Sequence, residues 1–357
     1  MKSYLVKSNR LVSVIIISFF LMSCNNAERS DNTADKKTTE IQKKAIPIIF
    51  DTDIGNDIDD VLALQMLLNY HKQGKINLLG ITLSKSNSYV IDYVDGYCRY
   101  NNLDFPLGYA HNGMNLKKNG KYLKQTLDAI VDGEKILQPQ RSISDSIPDG
   151  YKLLRQLLSE QPDKSVIIIV VGVQTNIARL IESDADEHSP LSGIELIESK
   201  VKLISVMGGN YGVESSPEWN IINDLQAAQI VFSKCPSPII ASGGEIGRKL
   251  LYPHKSILED FKAPEKNPLC ISYKSWGKMP YDRPTWDLTS VLFAVEPEKK
   301  YFDLSPRGII SIDNEGNSNF TPDKNGMHYY LKIDESNIEY TLNALVERVT
   351  GKCGRNQ

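Results

Sequence analysis

Short apolar runs alternate with helix-spaced apolar residues along most of this chain. Residues 46–50, Ile-Pro-Ile-Ile-Phe, read as a strand; a Gly-containing turn follows, and residues 61–68 carry apolar side chains at helical spacing. The rhythm returns at residues 75–83 and 103–109, which predict a second and a third strand, and at residues 150–158, which predict a helix. After Ser165, residues 166–171 are apolar without a break, the pattern of a strand covered on both faces. Residues 201–207 and 238–242 predict two more strands. This alternation predicts a single α/β domain over residues 46–350, a mostly parallel open sheet with helices on both faces. The polar stretch 115–148 yields few elements and has the length of a loop that closes over a site.

The first residues follow a different logic. Lys2, Lys7 and Arg10 precede an apolar run at 11–22 that is short for a membrane span, so residues 1–23 read as a signal peptide. Leu21-Met22-Ser23-Cys24 resembles a bacterial lipobox, with Met22 where a small residue is usual, and predicts an acylated Cys24. Residues 24–45 are too polar to fold and predict a tether holding the domain at the cell envelope of a bacterium. The formal charge of −3 gives no reason to expect a nucleic-acid partner. Cys98, Cys235, Cys270 and Cys353 show no C-x-x-C spacing, and both pairing and buried free thiols stay open. So does assembly into homo-oligomers.

The chemistry concentrates in residues 51–60, where Asp51, Asp53, Asp57, Asp59 and Asp60 crowd the carboxyl end of the first strand. Open α/β sheets bind ligands at that edge. Like charges this close oppose one another's ionisation, and a hard divalent cation with oxygen ligands relieves the conflict. Zinc would want His or Cys, which the stretch lacks. Capping of a helix amino terminus accounts for one or two acidic residues, hardly five. An EF-hand starting at Asp51 would need Gly and Glu where Asn56 and Leu62 stand. An Asp51 or Asp53 phosphotransferase nucleophile remains a competitor.

Residues 51–64 resemble the amino-terminal fingerprint of the nucleoside hydrolases, the inosine-uridine preferring nucleoside N-ribohydrolase family. The family pattern is Asp-x-Asp-Pro-Gly-x-Asp-Asp-Ala-x-Ala-Leu; this chain has Ile54 for Pro and two additional residues before its Asp pair. Weaker segments follow in order up to about residue 295: Gly80-Ile-Thr82 leading to Asn87, Gly172 to Ala178, Glu218-Trp-Asn220 and Trp286-Asp287. The resemblance implies Ca²⁺-dependent cleavage of the N-glycosidic bond of ribonucleosides. It implies Ca²⁺ held by Asp53, Asp60, Asp287 and the Thr175 carbonyl, with Asp53 also the general base. Asp59, Asn87, Asn210, Glu218 and Asn220 would hold the ribose, with Asp57 an alternative to either member of the Asp pair. Many members carry His where Trp286 stands, so leaving-group activation falls to base stacking on Trp286 or Trp219, or to His111. A tethered nucleoside-binding protein without turnover is the second reading. The phosphotransferase is disfavoured because it leaves Glu218, Asn220 and Asp287 unexplained.

Overall fold

The computed structural model describes residues 44–352 except 114–119 and 213–215. The expected signal peptide, Cys24, the tether up to residue 43, and Cys353 lie outside the described residues. Nine strands build the main sheet: β1 (Ile46–Thr52), β2 (Ile76–Leu83), β3 (Leu107–Tyr109), β4 (Val166–Val170), β5 (Val201–Met207), β6 (Ile239–Ser242), β7 (Gly308–Ile312), β8 (Ser318–Pro322) and β9 (His328–Lys332). A short Asp303–Leu304 segment adds to β9. Their order is β8-β7-β9-β6-β5-β4-β1-β2-β3. From β3 through β6 to β9 every pairing is parallel, while β7 and β8 are antiparallel. The chain starts mid-sheet at β1, builds outward through β2 and β3, then returns to β4 on the other side. The crevice between the carboxyl ends of β1 and β4 is therefore a topological switch point, where such sheets bind ligands.

Side-chain alternation explains why helices cover both faces. Ile48, Phe50, Ile167 and Ile169 point into one core, and their neighbours Ile49, Ile168 and Val170 into the other. Burying both faces requires the unbroken apolar run of β4.

Three elements differ from the sequence expectation. β3 is only Leu107–Tyr109, because Pro106 has no N–H to extend the ladder and its carbonyl already accepts from Ile81. The 115–148 stretch holds a helix, α1 in residues Lys121–Asp128, with Tyr122 fully buried, so it is not a structureless loop. Strands β7 to β9 lie beyond the part of the chain that the pattern resolved. Their alternating burial, clearest in Gly308–Ile312, is that of a sheet with one wet face, a faint signal over five residues. Cys98, Cys235 and Cys270 are free and buried. No helix among the described residues is long and apolar enough to cross a membrane.

The carboxy-terminal helix Ile338–Thr350 is pinned to the helix Asp59–Lys72: Asn69 Nδ2 donates to the carbonyls of Arg348 and Val349, both at 2.9 Å. Nearby, the buried Glu296 accepts from Arg348 at 3.0 and 3.2 Å and from Lys75 at 2.9 Å. Burial alone would raise the Glu296 carboxyl, but the Arg348 and Lys75 hydrogen bonds bring it below its ordinary value of 4.5. A depressed carboxyl stabilises the fold above its unfolded value and loses that contribution as pH falls through the folded one. Glu296→Gln is expected to cost about 2 kcal/mol at neutral pH, with the deficit closing below pH 4.5 in urea titrations against wild type.

Candidate active site and metal centre

β1 ends at Thr52, and the chain turns at Ile54-Gly55 before entering the helix Asp59–Lys72. Gly55 has φ +106°, and a Cβ there would stand 2.7 Å from Leu123, so the turn tolerates only glycine. Across the crevice, a Cβ on Gly172 would stand 2.5 Å from the Asp53 backbone nitrogen; this absence of a side chain lets the two strand ends close on each other.

The residues added to the family pattern form a clamped loop. The Tyr122 hydroxyl accepts from Gly55 N at 2.7 Å and donates to the Asp57 carbonyl at 2.8 Å. Trp276 Nε1 donates to the Asn56 carbonyl at 3.1 Å, and Arg283 grips the Asp57 carboxylate through both Nε, at 2.8 Å, and Nη2. The loop thereby delivers Asp59 and Asp60, rather than Asp57, to the helix amino terminus facing the crevice.

There, buried carboxylate oxygens of Asp59, Asp60 and Asp287 lie within 4.8 Å of one another. Asp287 comes from the start of the helix Trp286–Val295, and its backbone N–H donates to Asp59 Oδ2 at 3.2 Å. Thr52 donates its hydroxyl to Asp60. Burial raises all three well above the ordinary carboxylate range; repulsion from Asp57 adds to Asp59, from Asp53 and Asp59 to Asp60, and from Asp59, Asp60 and Asp53 to Asp287. Asp53 is pushed up to about 6 by burial, with Lys85 pulling it down and Asp57 pushing it up. Its Oδ2 is buried and has no hydrogen-bond partner among the described residues. Several buried carboxylates that repel one another, one with an orphaned oxygen, are a donor set that a hard cation fits.

This cluster floors a cavity of about 430 Å³. Asp53, Asp59, Asp60, Asn210, Glu218, Asn220, Trp219, Trp286 and Asp287 all line it, so the structure brings together most of the residues chosen from sequence. Glu218 caps the helix Trp219–Asn223 and accepts from the backbone N–H groups of Gly209, Asn220 and Ile221. Burial raises it to about 7 against the pull of those bonds. Asn220 Nδ2 donates to the Val171 carbonyl at 2.8 Å, and Asn210 is held by the Ser216 carbonyl at 2.6 Å and by Arg248 at 2.9 Å.

Four sequence expectations are corrected. Thr175 does not line the cavity: it starts the helix Thr175–Ile181 and donates its hydroxyl to Asp224, and the strand-end residue at the wall is Val171. Asn87 is buried outside the cavity wall, behind Gly55, its Oδ1 accepting from Tyr89 N at 2.8 Å. His111 stacks on Tyr109 at 4.1 Å and pairs with the Ile147 carbonyl at 2.9 Å, away from the wall. Asp51 is fully buried, accepts from Thr82 and Asn176 and does not reach the cavity, which removes it as a phosphotransferase nucleophile.

Sequence reasoning missed Lys85, Trp276 and Arg283. Lys85 is buried with Nζ 3.5 Å from the Gly55 carbonyl, close enough to Asp53 and Asp60 to feel their charge. A lone Lys in a polar turn carries no signal of this. Arg283 and Trp276 meet the acidic loop only across 226 and 220 residues of chain.

A model of the inosine-uridine preferring nucleoside hydrolases matches residues 48–317. The pyrimidine-specific ribonucleoside hydrolase RihA of Citrobacter koseri is 27% identical over 228 residues, 61% of this chain and 66% of that protein, so the match spans just under two thirds of the relative. A purine-preferring ribonucleoside hydrolase from Gardnerella vaginalis shares the fold with a TM-score of 0.63 at 18% identity, over 85% of this chain and 98% of that one. A plant nucleoside hydrolase does so with a TM-score of 0.61 at 19% identity, over 85% and 99%. The matched span takes in the fingerprint, the switch-point cavity and Asp287, and on that ground the chain belongs to the inosine-uridine preferring nucleoside hydrolase family.

Proposed function

We propose that this protein hydrolyses the N-glycosidic bond of ribonucleosides, releasing free base and ribose, in the switch-point cavity. The observation that carries this reading is the convergence of Asp59, Asp60 and Asp287 beside the unpartnered Oδ2 of Asp53. An all-oxygen set suits Ca²⁺, which Asp53, Asp60 and Asp287 would hold together with a strand-end carbonyl, that of Val171 rather than Thr175. When bound, the cation supplies positive charge that acidifies water at the site and aligns sugar hydroxyls.

The chain's own residues do the rest. Asp53 accepts the proton of the water that attacks the anomeric carbon as that carbon takes on oxocarbenium character. Asp59, Glu218, Asn220 and Asn210 hold the ribose hydroxyls, because a desolvated polyol needs several fixed partners. Glu218 is suited to this, since three backbone N–H groups fix its carboxylate as an acceptor at the wall. Relatives carry names for both pyrimidine and purine specificity, so the test is chromatographic product analysis on a mixed nucleoside panel with and without Ca²⁺. Base and ribose appearing only with Ca²⁺ support the reading; an inert Ca²⁺-loaded protein would overturn it.

One observation favours the second reading, binding without turnover. Trp286 stands where the resemblance to the family implies His, and its indole N–H is already donated to the Gly244 carbonyl at 2.9 Å. Saturable heat of nucleoside binding in calorimetry with no product formed would select it.

The same proposal places the domain at the bacterial envelope through an acylated Cys24. Cys24→Ser is expected to move the protein from the membrane to the soluble fraction and to abolish labelling by radioactive palmitate.

A further inference from the structure

N-glycosidic cleavage leaves an electron pair on the departing base nitrogen, and some group must stabilise it. The cavity offers few candidates. Among the described residues no His lines it, and of its three indoles Trp286 spends its N–H on the Gly244 carbonyl and Trp276 on the Asn56 carbonyl, while Trp219 is 46% exposed and shares its donor with solvent. Both oxygens of Glu218 already accept from backbone N–H groups, and the hydrolase reading commits its carboxylate to the ribose. Among the described residues the cations at the wall are Arg248, tied to Asn210, and Arg283.

Arg283 is built in with unusual care. Its guanidinium lies 4.1 Å from the Trp276 ring centre and 4.9 Å from that of Trp286. Nε and Nη2 engage the two oxygens of Asp57, a bidentate pairing that fixes the plane of the group. Nη1 has no hydrogen-bond partner among the described residues, while Arg283 borders the cavity. Burial works against the charge, but the Asp57 hydrogen bond and the negative charges of Asp57 and Asp59 together outweigh it, so the group stays a permanent cation. Asp57 in turn is held by the loop that Tyr122 and Trp276 clamp. Asp57, in the loop that departs from the family fingerprint, thereby also orients one arginine.

We propose that Arg283 is the leaving-group residue of this enzyme, its guanidinium donating a hydrogen bond to the departing base from between Trp276 and Trp286. The inference rests on the hydrolase reading above. The bond from the anomeric carbon to nitrogen breaks with its electron pair passing to the base. Water oxygen bonds to the anomeric carbon, and the water proton goes to Asp53. The base leaves as an anion hydrogen-bonded to Arg283 and takes its proton from solvent, since a guanidinium does not give one up. Stabilisation without protonation favours bases whose N–H is the more acidic.

The test compares wild type, Arg283→Met and Arg283→Lys on ordinary nucleosides and on para-nitrophenyl riboside, whose phenolate leaves without assistance. Arg283→Met should lower kcat on nucleosides by about 10²-fold, as loss of a fixed donor to developing charge does, and at least about tenfold less on the nitrophenyl substrate. Arg283→Lys, which keeps the charge and the fold's cation, should fall between the two on nucleosides. Equal losses on both substrates in either variant would show a structural role and overturn the inference. So would unchanged nucleoside rates in Arg283→Met. A wild-type protein that cleaves the nitrophenyl riboside and no nucleoside overturns it as well, whereas one inert to both substrates overturns the hydrolase reading itself.

Discussion

Asp53→Asn is expected to lower kcat on any nucleoside the protein cleaves by about 10³-fold, the loss that follows removal of a positioned general base. The substitution keeps the shape of the side chain and exchanges one oxygen for an NH₂ group. Asp53 sits where β1 ends, is 4% exposed, and presents an oxygen that no protein group engages. An unpaired buried carboxylate oxygen costs stability and persists when function needs it. Without the cation, burial pushes its carboxyl up to about 6; a bound cation would favour the ionised form that a general base requires. The check is steady-state kinetics beside a thermal melt: a well-folded Asp53→Asn within tenfold of wild type would remove Asp53 from the chemistry.

The second large effect concerns the cation. At a hundredfold excess over its Kd, Ca²⁺ should stabilise the folded protein by about 2.7 kcal/mol, a rise of several degrees in melting temperature. Asp287→Asn should abolish that rise while making the chelated protein melt higher than chelated wild type, because one of several mutually repelling buried carboxylates is gone. The sign of the pH dependence in chelator follows from the same crowding. Burial raises Asp53 to about 6 and both Asp51 and Glu218 to about 7, so the folded state holds protons that the unfolded chain has released. Chelated wild type should therefore lose stability as pH rises through 6 to 7. Scanning calorimetry across that range checks both points. A melting temperature indifferent to Ca²⁺ in wild type would count against the metal centre, and a lower one in chelated Asp287→Asn would show that Asp287 serves packing alone.

These experiments separate functions that the acidic residues share. Asp51 has the highest burial and is turned away from the cavity, its Oδ2 accepting from Thr82 and Asn176 while its Oδ1 has no partner among the described residues, so it holds β1 to its neighbours. Asp57 is spent on Arg283. Asp59, Asp60 and Asp287 form the cluster, and Asp53 stands beside it with an oxygen to spare.

Much of this was legible in the chain before folding. The unbroken apolar run 166–171 required a strand covered on both faces, and the density of Asp in 51–60 after an apolar strand required a cation or a severe pKa penalty. Both are local properties: side-chain periodicity and like-charge spacing act over a few residues, so sequence order alone reveals them. The sequence also ordered Glu218, Asn220 and Asp287 as companions of that stretch, through resemblance rather than physics.

What the sequence could not decide was which side chains meet across long separations. Val171 reaches the cavity wall and Thr175 does not, because one turn of chain after β4 carries Thr175 onto Asp224. Arg283 reaches Asp57 only because the helices Pro268–Trp276 and Trp286–Val295 bring both indoles to the end of β1. Lys85 comes to lie beside Asp53 because β2 runs parallel to β1 and their ends align. Spacing along a strand fixes faces, but meetings of charge and aromatic ring at a sheet edge depend on how several elements end together, and only packing determines that.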